Sequence, residues 1–523
     1  MLLAETILVN GVPVRELAPL DVLRGLDATE HNMERLNAKA RGSSRTYNSV
    51  VLDGPLARAS LERALDALAS RHPMLRVRIV QNPNGTLGYA PTRGGRDDGT
   101  AHVPVSYTAV DDLSTWPELL EADMNAGAIR SGSGPLFAFG IIEPRGLDDG
   151  ASGRRVLVMV GHHAVCDAIS CFALLDELLA QLAHPHPLQR LEDQPPGDPF
   201  CLDRAVPKLA ELEAEAASAL ADPSPQRRQR LEALLGRLER LERHLLTLGD
   251  GAGRFPSALK GVHGWLSSVA AELLPAASIV PETAVEPGVT RYEHVRTAFQ
   301  RLTLGVEPTQ ALKRAAKQHA MTQHGVFLAA ALLALATEQN ERALGLEPPR
   351  SPPERFAIAS AVSLRQHLVP PLSPDDLRMA VDVVVSRIVV EPGARFWELA
   401  RGAGDDVTQA VAKGRPVSSY FRAKPRDFGD TPLGIPVPLL SNLGRVGLRT
   451  QYGPLRVLEL NGAMTTHGSF QLVMLCLTFD ERLSLSFYCE TPTVSREALE
   501  RFAARVLEIL TRVANGEEPS APS

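Results

Sequence analysis

His162 and His163 stand side by side, and Asp167 follows four residues after the second of them. An imidazole titrates near neutrality, so a ring of this type can take a proton from a hydroxyl or an amine. Adjacent residues on an extended backbone point to opposite sides, so both rings serve one small site only if the chain twists between them. One of the two is therefore expected to do the chemistry. The spacing argues against a metal centre, because ligands on one strand need a spacing of two and ligands on one helix three or four. No metal is expected. The ordinary alternative is a pair of partly buried histidines with hydrogen-bond partners of their own.

The elements around this pair can be read from periodicity. Val156 to Val160 is an apolar run of mostly branched residues, a buried strand that stops at Gly161. From Ile169 the apolar positions Phe172, Leu175, Leu178, Leu179 and Leu182 recur at three and four, so a helix opens there. The order is strand, His-His, tight turn, Asp, helix. Upstream, Thr46 to Gly54 predicts a strand, Leu56 to Arg71 an amphipathic helix, and Arg76 to Val80 a strand. Trp116 to Asn125 reads as a helix and Ser133 to Ile142 as a strand. His72 is another candidate base, but it precedes Pro73 at a helix end and is expected to be structural. Cys166 lies in the turn; with apolar Val165 beside it and no stabilising charge but the histidines, it is a poor nucleophile.

Asp203 to Gly249 is rich in Ala, Leu, Glu and Arg, with leucines at three and four and a break at Asp222-Pro223-Ser224-Pro225. It predicts a helical hairpin, either a brace across two halves or a lid or carrier-docking face. The same grammar then restarts: strand Val295–Leu304, helices Glu307–His319 and Thr322–Glu338, strand Phe356–Val362, and helix Phe396–Lys413. Strands Phe470–Leu477 and Leu483–Cys489 follow, and a helix from Ser495 to Val513 closes the fold. The expected division is residues 1–200, a helical insertion and linker over 201–290, a second domain over 291–515, and a disordered tail over 516–523.

A chain of 523 residues predicts at least two domains, and 44% hydrophobic with 22% charged residues is ordinary for globular proteins. A net charge of −6 gives no reason to expect nucleic acid, which would call for a basic face. The longest apolar run, Val326 to Ala336, is far below the ~20 residues of a membrane span. The start, Met1 to Thr6, has no basic region of the kind a signal peptide carries, so a cytoplasmic location is expected. The five cysteines (Cys166, Cys171, Cys201, Cys476, Cys489) are scattered and odd in number, as reduced thiols would be.

The string His162-His163-Ala164-Val165-Cys166-Asp167 resembles the HHxxxDG motif of the chloramphenicol-acetyltransferase-like superfamily, which includes condensation domains, alcohol acetyltransferases and phthiocerol dimycocerosyl transferases. Arg71-His72-Pro73-Met74-Leu75-Arg76 is similar to its RHPxLR element, Gln323 to Ala331 to a buried helix of alcohol acetyltransferases, and Ser441-Asn442-Leu443-Gly444-Arg445 to the SNLGR segment of the ester-forming branch. Ala168 departs from the motif glycine; this is harmless if the helix has already begun there and costs ~1 kcal/mol if φ must be positive. Arg426 to Asp430 fits neither the kinase DFG nor the plant-type DFGWG element.

The resemblance implies an α/β fold of two acetyltransferase-like domains in a V-shaped pseudo-dimer with a central tunnel. It implies an acyltransferase in which His163 is the general base, His162 supports it, and Asp167 forms a structural salt bridge with Arg365. Arg387 is the substitute partner, and a surface Arg365 without a partner is the plain alternative. Ser441 and Asn442 either donate to a developing oxyanion or satisfy local backbone. The implied donor is acyl-CoA or a phosphopantetheinyl carrier protein and the acceptor a small or lipid-like alcohol, with no other cofactor and a monomeric chain. An amide-forming condensation domain and a silent carrier-docking scaffold are the other readings.

Overall fold

The computed structural model describes residues 8–9, 12–13, 23–39, 44–81, 87–92, 103–189, 191, 218, 295–343, 354–367, 371–416, 437–466 and 470–522. Apart from Ser218, the expected helical hairpin lies outside them, as do Cys201 and Arg426 to Asp430. The first half opens with a short hairpin, β1 (Leu8–Val9) and β2 (Val12–Pro13), then β3 (Arg24–Gly25) and α1 (Ala28–Lys39). There follow β4 (Arg45–Pro55), α2 (Arg58–Arg71), β5 (Val77–Gln81), β6 (Leu87–Pro91), β7 (Val105–Val110) and α3 (Trp116–Ala126). The half ends with β8 (Phe137–Pro144), β9 (Ser152–His162) and α4 (Ala168–Ala183). The second half carries β10 (Arg296–Leu304), α5 (Val306–Gln318), α6 (Gln323–Ala343), β11 (Glu354–Ser363), β12 (Val381–Val390) and α7 (Phe396–Ala412). It continues through β13 (Leu439–Arg445), β14 (Gln451–Tyr452), β15 (Leu455–Met464), β16 (Leu472–Phe479), β17 (Arg482–Thr491) and α8 (Arg496–Ala514).

Two six-stranded sheets organise the molecule, ordered β14-β15-β4-β9-β8-β7 and β10-β17-β16-β13-β11-β12. The first contains a correction to the expected division. β14 and β15 leave the C-terminal half and complete the N-terminal sheet, β15 pairing antiparallel with β4 from Arg456↔Asp53 to Met464↔Thr46. An alternating strand pattern states which face is buried but not which neighbour it pairs with, so the boundary near residue 291 is clean in sequence and not in space.

The C-terminal sheet is covered on both faces. In β16, Leu472, Met474 and Cys476 pack into the core shared with α5 to α8. Val473, Leu475 and Leu477 join the core of the N-terminal half with Phe137, Cys166 and Leu174. A strand buried on both faces reads as a continuous apolar run, as Leu472 to Phe479 does. The edge strand β10 is sealed by α3: Asn125 Oδ1 accepts from the Thr297 amide at 2.8 Å and Glu121 Oε2 from the Phe299 amide at 2.9 Å. Unpaired edge amides are thereby satisfied and the halves locked together.

The tail is a second correction. Residues 516–522 are ordered against the start of α7: Ser520 bridges Arg395, the Ala521 amide donates to the Ala394 carbonyl at 2.9 Å, and Ala521 is 5% exposed. Its Pro-rich polar composition hides the three backbone bonds, the Arg395–Glu518 ion pair and the one small apolar anchor that hold it. No single described helix is long and apolar enough to cross a membrane.

Candidate active site

The His-His turn hangs from the end of β9. The His162 amide donates to the Leu136 carbonyl at 2.8 Å and the His163 amide to the Ser44 carbonyl at 3.1 Å, so β8 and the start of β4 hold both residues. Gly161 is required by packing: a Cβ there would come within 2.8 Å of Cys166 Sγ and 3.0 Å of the Phe137 ring. The chain can fold back on its own strand only without that atom.

The two rings have different surroundings, as the alternation of an extended chain demands. His162 is fully buried; its Nδ1 accepts the Ala164 amide proton at 3.1 Å. His163 is half-buried, and its Nδ1 lies 3.0 Å from the Cys166 carbonyl oxygen. A carbonyl only accepts, so Nδ1 of His163 carries the proton and Nε2 keeps its lone pair. Nε2 has no hydrogen-bond partner among the described residues. Burial lowers the pKa of this imidazole, while the bond to the Cys166 carbonyl and the nearby Asp167 charge pull the other way. The net direction favours the neutral ring.

Asp167 never touches that ring. It is the N-cap of α4, accepting the Ser170 amide at 3.0 Å in a reciprocal capping box with the Ser170 hydroxyl. Ala168 is the first helical residue and is not among the positive-φ positions, so the missing motif glycine costs nothing in backbone strain. The Asp167 carboxylate also meets Arg365, with Nη2 to Oδ1 and Nε to Oδ2 both at 3.0 Å, and accepts the Ala380 amide at 3.2 Å. Arg365 spends its remaining donors on the carbonyls of Ser373, Asp376 and Arg378. Both side chains are almost wholly buried, at 1% and 3% exposure, and the pair joins the two halves of the chain. Arg387, the substitute, lies across the β11–β12 ladder opposite Ala357, away from this carboxylate.

His72, Cys166 and Asn442 each have local partners. His72 is buried against Glu177, with Nε2 2.7 Å from Oε2, and is structural. The thiol of Cys166 is fully buried and points back to the His162 carbonyl, so it cannot reach a substrate. Asn442 Oδ1 accepts the Gly444 amide at 3.0 Å, in a β-bulge where Gly444 has φ 64°, which satisfies local backbone. Neither Asn442 nor half-buried Ser441 is hydrogen-bonded to the His162–Asp167 turn.

Two contributors had no signal in the sequence. Tyr89 of β6 donates from its hydroxyl to the Ala164 carbonyl at 3.2 Å. Glu34 of α1 places Oε2 2.9 Å from Nε2 of His162. Both lie more than seventy residues from the motif, and no local pattern distinguishes a Tyr or Glu that will face a turn so distant in the chain.

Residues 293–488 match the family described as phthiocerol/phthiodiolone dimycocerosyl transferase C-terminus. Among solved structures, the fold is similar to polyketide synthase associated protein 5 from Mycobacterium tuberculosis, with TM-score 0.57 and 16% identity over 95% of this chain and 100% of that one. Trichothecene 15-O-acetyltransferase from Fusarium sporotrichioides gives TM-score 0.61 at 13% identity, covering 94% of each chain. The first condensation domain of the calcium-dependent antibiotic synthetase gives 0.59 at 17%, over 95% of this chain and 98% of that one. In sequence, a stretch of 135 residues is 31% identical to nonribosomal peptide synthetase 32 of Fusarium pseudograminearum; it is 25% of this chain and 1% of that protein. The chain thus has the condensation-domain and chloramphenicol-acetyltransferase-like fold that the motif resemblance implied.

Proposed function

We propose that this chain is an acyltransferase that moves an acyl group from a thioester, acyl-CoA or an acyl carrier protein, to an alcohol. The observation that carries the reading is the tautomer of His163. Its Nδ1–H is tied to the Cys166 carbonyl at 3.0 Å, which leaves an incompletely buried Nε2 with a lone pair and a bias toward the neutral form. In the reaction, Nε2 takes the acceptor hydroxyl proton as the oxygen attacks the thioester carbonyl carbon. The tetrahedral intermediate collapses with cleavage of the C–S bond, and the proton passes from Nε2 to the departing sulfur. Ester and free thiol are the products, and no acyl-enzyme is formed. A tunnel between the halves would bring donor and acceptor to the ring from opposite mouths.

An alcohol acceptor is supported by the match of residues 293–488 to a dimycocerosyl transferase family and by likeness to a 15-O-acetyltransferase. An amine acceptor is the second reading, favoured by the 31% identity to a stretch of a nonribosomal peptide synthetase. Free-thiol release from acyl-CoA and acyl-carrier thioesters, offered alcohols and amines in parallel, tests both. Release dependent on an alcohol and on His163 is expected. Release with amines alone would replace ester by amide formation, and none with any pairing would leave the scaffold reading.

A further inference from the structure

We infer that Glu34 is a positioning residue that holds the His-His turn through His162, an inference that rests on His163 being the base proposed above. His162 Nδ1 accepts the Ala164 amide proton at 3.1 Å, so the ring must be protonated at Nε2 and not at Nδ1. That Nε2–H is sealed from solvent, and Glu34 Oε2 lies 2.9 Å away, off the axis of the N–H bond. The opposite tautomer would turn an N–H toward the Ala164 N–H and place a lone pair against the carboxylate, losing both interactions at once. Glu34 therefore selects the tautomer that receives the turn's backbone.

The carboxylate is itself fixed. Its Oε1 accepts the Ser131 hydroxyl at 2.5 Å and its Oε2 the Asn37 amide group at 3.4 Å, and α1 carries it to the site at 13% exposure. The chain of contacts runs from Glu34 through His162 to the Ala164 amide. Tyr89 grips the same residue from its carbonyl side at 3.2 Å, two positions before the Cys166 carbonyl that orients His163. Loosening Ala164 shifts the carbonyl that sets the direction of His163 Nε2, and a displacement of ~1 Å at a base can cost ~10²-fold in rate.

Hydrogen exchange by mass spectrometry on the peptide spanning Gly161 to Asp167, with steady-state kinetics, tests this. Glu34→Ala is expected to speed exchange of that peptide and lower kcat by about 10- to 100-fold with KM within twofold. Glu34→Gln, which keeps an oxygen acceptor, should restore both. In a His162→Asn background, Glu34→Ala should add no further loss, because the route runs through the ring. Should Glu34→Ala fail to fold, Glu34→Leu, of similar length and without an acceptor, takes its place. Unchanged exchange and kcat in the folded variant, or losses that add in full to those of His162→Asn, would overturn the inference. If the wild-type chain releases no thiol from any donor, the proposed reaction has failed, and the exchange arm still decides the role of Glu34.

Discussion

A base must present a lone pair at the working pH, and for His163 the surroundings push in that direction. Burial lowers its pKa from the ordinary imidazole value of 6.5, so the neutral ring persists into mildly acidic solution. Rate requires the neutral form: kcat/KM should stay flat through neutrality and fall only as pH drops through a folded value beneath 6.5. An acid limb centred above 6.5 would mean that the carbonyl and the Asp167 charge outweigh desolvation. His163→Ala should lose about 10²- to 10⁴-fold in turnover while unfolding at nearly the wild-type temperature, since among the described residues the ring bonds only a neighbouring carbonyl. Turnover retained in full would remove it as the base. His162 and His163 could be told apart as opposite-facing from adjacency alone; what holds the turn they sit on could not, because Ser44, Tyr89 and Glu34 reach it from distant strands and a helix.

Where β9 gives way to α4, one carboxylate does two jobs, capping the helix and joining the halves. Asp167→Asn separates them. The amide oxygen can still accept the Ser170 amide, now 3.0 Å away, but the Arg365 guanidinium is left charged and almost fully buried. Breaking such a pair from one side costs about 3 to 5 kcal/mol. Chemical denaturation should show a loss of that order; an unchanged midpoint would mean that the surrounding carbonyls suffice for Arg365. A second element carries a pH signature. In the first turn of α6, His324 Nε2 bonds the Ser360 hydroxyl at 2.9 Å, and burial holds its pKa at about 4 against 6.5 when unfolded. The unfolded chain binds this proton first. Stability is therefore full above about pH 6.5, declines as pH falls toward about 4, and levels off below. His324→Gln should flatten the thermal-midpoint curve relative to wild type in that window, and parallel curves would show the ring to be hydrated. Helix positions were legible because α4 and α8 bury residues at three- and four-residue intervals, while α6, buried on every side from Val326 to Ala336, shows as one long apolar run. The Asp167–Arg365 pair was legible only through family resemblance, since nothing local marks an arginine 198 positions away.

At the scale of the whole chain, the halves are exchanged rather than merely apposed. β15 comes from the C-terminal half and adds to β4, the Arg45 amide bonds Thr465 Oγ1 at 3.0 Å, and α3 of the N-terminal half seals β10 of the other. Sequence order suggested two consecutive domains because periodicity carries no information on pairing partners. The same blindness hid the tail, whose anchoring depends on where α7 happens to begin. The exchange has a consequence for a chain opened within residues 201–290. An N-terminal piece alone would present β4 as a naked edge along Thr46 to Asp53, with the apolar residues Val50, Val51 and Leu52 beside unpaired amides, and such edges aggregate. It would also strand Asp167 without Arg365. The C-terminal piece alone would lose the cover over Val473, Leu475 and Leu477. Each piece expressed singly should be insoluble, whereas the two co-expressed should copurify, because the contacts that join them are those that complete each sheet. Size-exclusion chromatography of a singly tagged pair reads the result. A soluble, monomeric N-terminal piece with native-like circular dichroism would show that β4 needs no partner, and the halves would then be independent domains.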